Sequence, residues 1–334
     1  LHKAIRRQRQ MCIRDSGGTH WNFIDFSSAL RDESMPRINN KGLAYSDRTP
    51  KDVFYYYKAA WRKDIPVLHI ASRDWIYRTG IQQGDSSVLL PVKIYTNLPE
   101  VELSIDGKSL GRQQVDNYTA IFKAPFSSKE PLLLVQGNYQ GTTVQDGIKV
   151  HFTPIPTNLN STGLKDLELA VNVGSQCFYT SDESRLTWLP DQPYTKGSWG
   201  YIGGKELSTQ TEIRRTADGP LFQTLRNGIE GYRFDVPRGV YEVELLFTDI
   251  FLQNEGIAYQ LGREGEQKSR ENTFGISVNG KMLEEKLSPC KESGYCQAVR
   301  KKYIITNDTD HIDIRFHPAS GTCFLNGIKL RNIH

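Results

Sequence analysis

The stretch that decides the fold reads Thr19-His20-Trp21-Asn22-Phe23-Ile24-Asp25-Phe26, then Arg37-Ile38-Asn39-Asn40-Lys41-Gly42, then Asp47-Arg48-Thr49-Pro50-Lys51, and last Tyr55-Tyr56-Tyr57-Lys58-Ala59-Ala60-Trp61. Residues 21–24 are apolar enough for a short buried strand, whereas residues 27–41 are polar without a period, which predicts a loop. Thr49 before Pro50 predicts the start of a helix, because a proline at the first helical position loses no hydrogen bond. Apolar residues at helical spacing then predict an amphipathic helix as far as Trp61.

These segments resemble the last strand, loop and helix of the catalytic β/α barrel of glycoside hydrolase family 2, the β-galactosidase and β-glucuronidase family. In such a barrel the loops that follow the strands line the active site, so the resemblance implies that residues 27–41 face substrate. A complete barrel needs about 250 residues, and only residues 17–62 are available for it here. The resemblance therefore predicts the C-terminal part of a sugar-cleaving enzyme.

Three side chains of this stretch are candidate substrate ligands by resemblance. Trp21 stands where family members place an aromatic platform against the apolar face of the sugar; the alternative is an indole packed in the barrel core. Asn39 and Lys41 match the Asn-x-Lys pattern with which β-glucuronidases hold the carboxylate of a uronic acid; the alternative is a solvated surface loop. Asp25 is expected to support the strand rather than to take part in chemistry.

The catalytic residues themselves are expected to be absent from the chain. The family uses two glutamates with carboxyl groups about 5 Å apart, one as acid and base and one as nucleophile, and both belong to earlier barrel strands. Neither Glu33 nor Glu100 matches their motifs. The chain as given is therefore expected to be inactive.

Composition argues against several classes of partner. The chain has 334 residues, of which 38% are hydrophobic and 24% charged, and it contains no apolar run long enough to span a bilayer. Residues 1–16 account for its formal charge of +4; they fit no element of the family and are interpreted as a non-native translated segment. The alternative is a basic arm for nucleic acid, but no basic or aromatic pattern continues beyond it. Neither nucleic acid nor a membrane is an expected partner.

After residue 16 no pair of cysteines has the spacing of a zinc site or of a redox dithiol. These cysteines are Cys177, Cys290, Cys296 and Cys323. Buried or free thiols are favoured, and the alternative is a disulfide between Cys290 and Cys296 in an exported protein. No metal site and no cofactor are predicted.

Alternating apolar residues between 63 and 152 predict a small β-sandwich. Residues 92–95 and 101–105 have period two, and Asp106-Gly107 predicts a hairpin turn. Residues 95–108 resemble the immunoglobulin-like domain that follows the barrel in many family members and has a structural role there. Residues 153–166, rich in Pro, Asn, Ser and Thr, are expected to be a linker.

Strands recur from 167 to 334 and predict a second sandwich. This part resembles malectin-like carbohydrate-binding domains, with Asn172-Val173-Gly174 at its start, Val278-Asn279-Gly280 at a turn and Leu325-Asn326-Gly327 near its end. Exposed loop aromatics could form a sugar platform there, and the candidates are Trp188, Tyr194, Trp199 and Tyr201. The alternative is that each ring pins an irregular loop to the core.

The sequence thus predicts a mainly β chain with the last β/α unit of a TIM barrel, an immunoglobulin-like sandwich and a malectin-like (galactose-binding-like) sandwich. The expected function is the C-terminal part of a retaining exo-β-glycosidase of the glucuronidase or galactosidase type, acting on plant or host glycans. Its expected partner is a β-glycoside, with a uronide among the candidates. The alternative is a non-catalytic carbohydrate-binding protein built from the two sandwiches. The family resemblance implies a periplasmic or extracellular location, and the oligomeric state stays open.

Overall fold

The computed structural model describes residues 20–32, 36–82, 87–160, 167–181, 183–251 and 271–333. Over these ranges the chain forms 23 strands and three short helices, which confirms the mainly β prediction. Within the same ranges, no helix is long and apolar enough to cross a membrane. The predicted non-native segment 1–16 and Glu33 lie outside the described residues.

The segment before the first sandwich contains a hairpin that the sequence did not predict. Strands β1 (Phe26–Asp32) and β2 (Pro36–Asn39) pair antiparallel, so the prediction of an irregular loop over residues 27–41 is wrong. The pairing satisfies the hydrogen bonds of the backbone groups. The polar side chains, which have no alternating pattern, do not predict it. The predicted strand over residues 21–24 is also wrong, because only a single bridge between Ile24 and Ala44 forms there.

Helix α1 (Asp52–Trp61) confirms the predicted helix, although it begins later than expected. Its N-cap is Lys51, which makes no side-chain capping bond. Thr49 and Pro50 therefore lie before the helix rather than at its first turn. Both residues pair with the preceding segment instead: Pro50 forms a bridge with Ala44, and the Thr49 carbonyl accepts the Tyr45 N–H at 2.9 Å.

The first turn of α1 is attached to the sandwich that follows. The carboxylate of Asp52 accepts the backbone N–H of Ser72 at 2.6 Å and lies 3.0 Å from His69 Nε2. The ring of Tyr55 stacks on the ring of His69, with centroids 3.7 Å apart. Polar and aromatic contacts thus fix the helix against the sandwich.

The first sandwich packs two sheets on one core. Its strands and the pair beside them are β3 (Leu68–Ile70), β4 (Tyr77–Ile81), β5 (Val88–Thr96), β6 (Glu100–Ile105), β7 (Lys108–Gln114), β8 (Thr119–Phe126), β9 (Leu132–Tyr139), β10 (Thr142–Lys149) and β11 (His151–Ile155). One sheet has the order β3-β5-β8 and the other β10-β9-β6-β7. Both contribute to one buried cluster, with Ile94, Phe122 and Leu133 among its members. Asp106 and Gly107 adopt φ of 49° and 78° and join β6 to β7, as predicted.

The two sandwiches are joined by a paired strand. Strand β11 pairs with β4 in parallel, so residues 153–155 extend a strand where the sequence predicted the start of a linker. The edge of β4 supplies hydrogen-bond partners for the backbone of these residues, and the amino-acid composition of the segment does not indicate this pairing. Ile155 and Leu159 are buried in the core of the second sandwich, which makes this connection part of that core.

The second sandwich also has two sheets, and most of its large apolar residues lie between them. Its elements are β12 (Glu168–Asn172), β13 (Tyr179–Ser181), β14 (Leu186–Pro190), β15 (Trp199–Ser208), α2 (Gly219–Phe222), β16 (Thr224–Phe234), β17 (Gly239–Phe247), β18 (Thr273–Val278), β19 (Lys281–Leu287), α3 (Pro289–Ser293), β20 (Val299–Asn307), β21 (Ile312–Ser320), β22 (Phe324–Leu325) and β23 (Gly327–Asn332). The sheet orders are β13-β14-β12-β23-β17-β20 and β15-β16-β21-β18-β19, with β22 paired to β16. Asn279 and Gly280, with φ of 48° and 79°, form the predicted hairpin turn between β18 and β19.

Cys177, Cys290 and Cys323 are free thiols, so the alternative of a disulfide between Cys290 and Cys296 is not realised. Cys177 is exposed and Cys323 is buried. Burial raises the pKa of the Cys323 thiol to about 12. Because the thiolate is the reactive form, burial protects Cys323 in two ways. It keeps reagents away from the thiol, and it raises the pKa of that thiol.

We expect iodoacetamide at pH 8 to modify Cys177 at least about tenfold faster than Cys323 in the native chain, since Cys177 is exposed, whereas Cys323 is buried and its raised pKa leaves it little thiolate. Peptide mass spectrometry over a time course measures both rates. In urea the two rates should converge. Equal rates in the native chain would contradict the buried position of Cys323.

Candidate functional site

The loop from Asn39 to Gly42, named the 39–42 loop, follows strand β2. The side chain of Asn39 is fully buried, at 0% exposure. Its Oδ1 accepts the backbone N–H of Lys41 at 3.2 Å. Its Nδ2 has no hydrogen-bond partner in the part of the chain that the structure describes. The loop thus holds an amide donor in a buried place without an acceptor.

A buried donor without an acceptor is costly, at about 1–3 kcal/mol. The Asn39 amide is therefore placed to gain from a ligand that brings an oxygen. Lys41 lies two residues further on with its side chain exposed. An amide N–H and an ammonium are donors that a carboxylate prefers. Asn39 and Lys41 lie on one loop, and their joint use as carboxylate ligands stays a prediction.

The 39–42 loop is anchored by Asp25, which is only 6% exposed. The Asp25 carboxylate accepts the backbone N–H of Gly42 at 2.8 Å and the Lys51 ammonium at 2.7 Å. Lys51 Nζ also donates to the carbonyl oxygen of Asn40 at 3.0 Å. Asp25 therefore supports the loop, where the sequence predicted support for a strand.

Gly42 is required by the closeness of this contact. A Cβ at this position would lie 2.4 Å from the backbone nitrogen of Asp25 and 2.6 Å from its Oδ1. Only a glycine allows the two segments to approach so closely. Lys51 was missed by the sequence reasoning, which read the residues around it as the start of a helix, and no local pattern marks it as a loop anchor.

Trp21 is strongly exposed, at 76%, so in the described structure it is not packed in a core. Both of its neighbours contact the loop region. His20 Nε2 lies 3.3 Å from the carbonyl oxygen of Lys41, and the carbonyl of Asn22 accepts the N–H of Leu43 at 3.2 Å. Trp21 therefore stands beside the 39–42 loop, and its use as a sugar platform stays a prediction.

Two of the four aromatic residues predicted on an exposed loop of the second sandwich are buried. Trp188 is 3% exposed on β14 and Trp199 is 1% exposed on β15, so their predicted exposed placement is wrong. Trp199 belongs to the main core, whereas Trp188 packs with Leu221 and Phe222 in a separate cluster. A strand that is buried on both faces lacks the alternation of apolar and polar residues that identifies a half-buried strand. For this reason the sequence pattern predicted loops here.

Tyr194 and Tyr201 are half-buried and lie next to each other, since the N–H of Tyr194 donates to the carbonyl of Tyr201 at 3.0 Å. The Tyr194 hydroxyl donates to Asp235 at 2.7 Å. The Arg226 guanidinium carbon lies 3.2 Å from the ring centre of Tyr201. The structure thus brings two of the four candidates together and separates Trp188 from them.

A buried polar network behind Tyr201 was missed by the sequence reasoning. Asp191 accepts Arg226 Nε at 2.9 Å, the Tyr232 hydroxyl at 3.1 Å and the Gly174 N–H at 2.9 Å. Burial raises the pKa of the Asp191 carboxyl, although the Gly174 N–H and the Arg226 charge act in the opposite direction. Residues so distant in sequence give no local signal. Across the described ranges, no group of three or more His, Cys, Asp or Glu side chains could hold a metal ion.

Two regions of the chain match known protein families. Residues 167–330 match the Malectin domain, and residues 88–142 match a domain of unknown function (DUF4982). A putative β-glucuronidase of Formosa agariphila is 34% identical over 208 residues, which is 58% of this chain and 24% of the relative. A β-glucuronidase of Bacteroides fragilis is 38% identical over 103 residues, 30% of this chain and 14% of the relative.

Solved structures match over nearly the whole chain. A Bacteroides uniformis β-glucuronidase is 72% identical with a TM-score of 0.86. The structure of Bacteroides uniformis β-glucuronidase 2 covalently bound to cyclophellitol-6-carboxylate aziridine is also 72% identical, with a TM-score of 0.85. Each match covers 95% of this chain but 36% of the other. The chain therefore spans about a third of the length of these enzymes.

The two tryptophans at opposite extremes of exposure form a matched pair for a stability test. We expect Trp199→Ala to lower the free energy of unfolding of the second sandwich by about 3–5 kcal/mol, because it empties a large core position. Trp21→Ala should change stability by less than about 0.5 kcal/mol. Urea unfolding followed by circular dichroism measures both, and similar losses for the two variants would contradict the burial described here.

Proposed function

From the homology of this chain to bacterial β-glucuronidases, which confirms the resemblance predicted from its sequence, we propose that it is part of a retaining exo-β-glycosidase of the β-glucuronidase type. In this proposal Trp21, Asn39 and Lys41 contact the sugar, and the two sandwiches support them. The acid/base and nucleophilic glutamates belong to a part of the enzyme outside this chain. The malectin domain adds a second carbohydrate contact, for which Tyr194 and Tyr201 are the candidates.

The observation that carries this proposal is the buried amide of Asn39, whose Nδ2 has no acceptor among the described residues. A uronic acid carboxylate would supply that acceptor and would also pair with the Lys41 ammonium. Hydrogen bonds to charged groups contribute about 1.5–3 kcal/mol each. Substrate must uncover the amide to reach it. Nδ2 has no hydrogen bond to lose among the described residues, and the hydrogen bond of the same side chain is the one from the Lys41 N–H to Oδ1.

A relative supports a uronide as the substrate. The Bacteroides uniformis β-glucuronidase 2 at 72% identity was crystallised with an inhibitor that carries a carboxylate at position 6. The galactosidase alternative would place a hydroxymethyl group at the position of that carboxylate. A hydroxymethyl group gains only an ordinary hydrogen bond from an ammonium, so the donor pair on the 39–42 loop favours the uronide.

The residues of this chain act by orientation. An indole at Trp21 would bury the apolar C–H face of the pyranose, while Asn39 and Lys41 fix the carboxylate. Together they define the plane and the rotation of the ring. Holding a reactant in the productive geometry can contribute several kcal/mol to catalysis, and this is the contribution that we assign to the chain.

We expect the chain as given to hydrolyse neither 4-nitrophenyl β-glucuronide nor 4-nitrophenyl β-galactoside, since the reaction needs a paired acid/base and nucleophile. Release of nitrophenolate is the measurement, with the Trp21→Ala chain as the control. Turnover above that control would show that the chain itself holds a catalytic pair, contrary to the proposal.

Activity is best tested in a chimera, in which this chain replaces the matching segment of the Bacteroides uniformis β-glucuronidase. There Lys41→Ala should lower kcat/KM for the aryl β-glucuronide by roughly ten- to a hundredfold, as expected for the loss of about 1.5–3 kcal/mol. Activity on the aryl β-galactoside should change little. Steady-state kinetics on both substrates give the two ratios.

The matched control is Lys108→Ala, which removes the same charge from the exposed first residue of strand β7 and should leave both activities unchanged. Equal losses on both substrates after Lys41→Ala would contradict the uronide assignment and favour the galactosidase alternative. An inactive chimera that still binds glycans would favour the non-catalytic carbohydrate-binding alternative.

A further inference from the structure

Lys51 touches the 39–42 loop on both sides of Lys41. Its ammonium donates to the carbonyl of Asn40, and its backbone N–H donates to the carbonyl of Leu43 at 2.9 Å. The same ammonium lies 2.7 Å from each carboxylate oxygen of Asp25. Lys51 thus contacts the chain on both sides of Lys41, at Asn40 within the loop and at Leu43 just after it, while its ammonium pairs with the buried Asp25 carboxylate.

The remaining backbone groups of the loop are held by other partners. The Gly42 N–H donates to Asp25 Oδ1 at 2.8 Å, and the Lys41 N–H donates to Asn39 Oδ1 at 3.2 Å. His20 Nε2 lies 3.3 Å from the carbonyl oxygen of Lys41. The backbone between Asn39 and Gly42 therefore cannot move without breaking several of these bonds together.

Lys51 is not placed as a substrate ligand itself. Its side chain is only 17% exposed, and an ammonium has three N–H groups. The two oxygens of Asp25 and the carbonyl of Asn40 are three acceptors within 3.0 Å. With its donors directed inward, Lys51 acts on a ligand only through the position that it gives to the loop.

We propose that Asp25 and Lys51 form a positioning pair, which fixes the backbone that carries Asn39 and Lys41 and thereby the preference for a uronide over a neutral glycoside. This inference rests on the proposed function of the 39–42 loop. Asp25 accepts the Gly42 N–H, and Lys51 donates to the Asn40 carbonyl. Without the pair, both donors remain in the sequence, but the backbone from which they project is no longer fixed.

The test uses the same chimera with Lys51→Met, which keeps the length of the side chain and removes its donors. We expect the ratio of kcat/KM on the glucuronide to that on the galactoside to fall by about tenfold or more. The loss should appear in kcat as well as in KM, because a misplaced loop binds the carboxylate less well and no longer orients the ring for reaction. Lys58→Met, on the same helix, is the matched control and should leave the ratio unchanged.

Asp25→Asn should lower the ratio similarly, and the double variant should lose little more than either single one, as expected for two residues that act as a unit. If Lys51→Met does not fold, Lys51→Gln keeps a donor for Asn40 without the charge and should give a smaller loss. In the same variants, hydrogen exchange of a peptide covering residues 39–44 should become faster.

An unchanged ratio together with unchanged exchange in the Lys51 variants would overturn the positioning role. That result differs from failure of the proposed function, which would appear as a lack of preference for the glucuronide in the chimera without any of these substitutions. Equal losses on both substrates with unchanged exchange would also overturn the inference, since they would show an effect on activity that does not act through the loop and does not distinguish the two substrates.

Discussion

The buried carboxylate of Asp25 is the constraint on which the candidate site depends. A charge removed from water is tolerated only where partners compensate it, and removing one partner of a buried ion pair costs about 3–5 kcal/mol. Here the partners are the Gly42 N–H and the Lys51 ammonium. They bring two segments together so closely that position 42 has no room for a side chain. The course of the backbone in the 39–42 loop is a consequence of this compensation.

Two consecutive residues at the start of helix α1, Lys51 and Asp52, connect the 39–42 loop to the first sandwich. Lys51 faces the loop, while the next residue, Asp52, faces the first sandwich through the backbone of Ser72 and the ring of His69. Burial alone would raise the pKa of the Asp52 carboxyl, but the hydrogen bonds from His69 and Ser72 lower it overall. An ionised Asp52 also suits the first turn of a helix, where the N–H groups favour negative charge. The loop and the sandwich are thus coupled through a single peptide unit.

The features that could be predicted from the sequence are those determined locally. Asp106-Gly107 and Asn279-Gly280 form hairpin turns because both positions need positive φ, which these residue types accept. The hairpin within residues 27–41 was not predicted although its strands are neighbours in the chain, because they lack the apolar alternation that identifies a strand. The burial of Trp199 was not predicted because it depends on core partners far away in the chain. The role of Lys51 depends on Asp25, 26 residues earlier, and a lysine after a proline is unremarkable by itself. Family resemblance gave the ligand candidates, but it did not indicate what holds them.

The second sandwich contains the same arrangement of a buried carboxylate with a glycine N–H and a cation. Asp191, like Asp25, is a buried carboxylate that accepts a glycine N–H and an ion-paired cation, here Gly174 and Arg226. Arg226 in turn lies against the ring of Tyr201, and such a contact contributes about 0.5–2 kcal/mol. One face of this tyrosine is therefore occupied, which leaves the other face or the edge for the sugar contact proposed above. In both places a buried ion pair, weak as a source of net stability, has its effect by fixing the geometry of a neighbouring group, because its partners cannot separate without exposing an uncompensated charge.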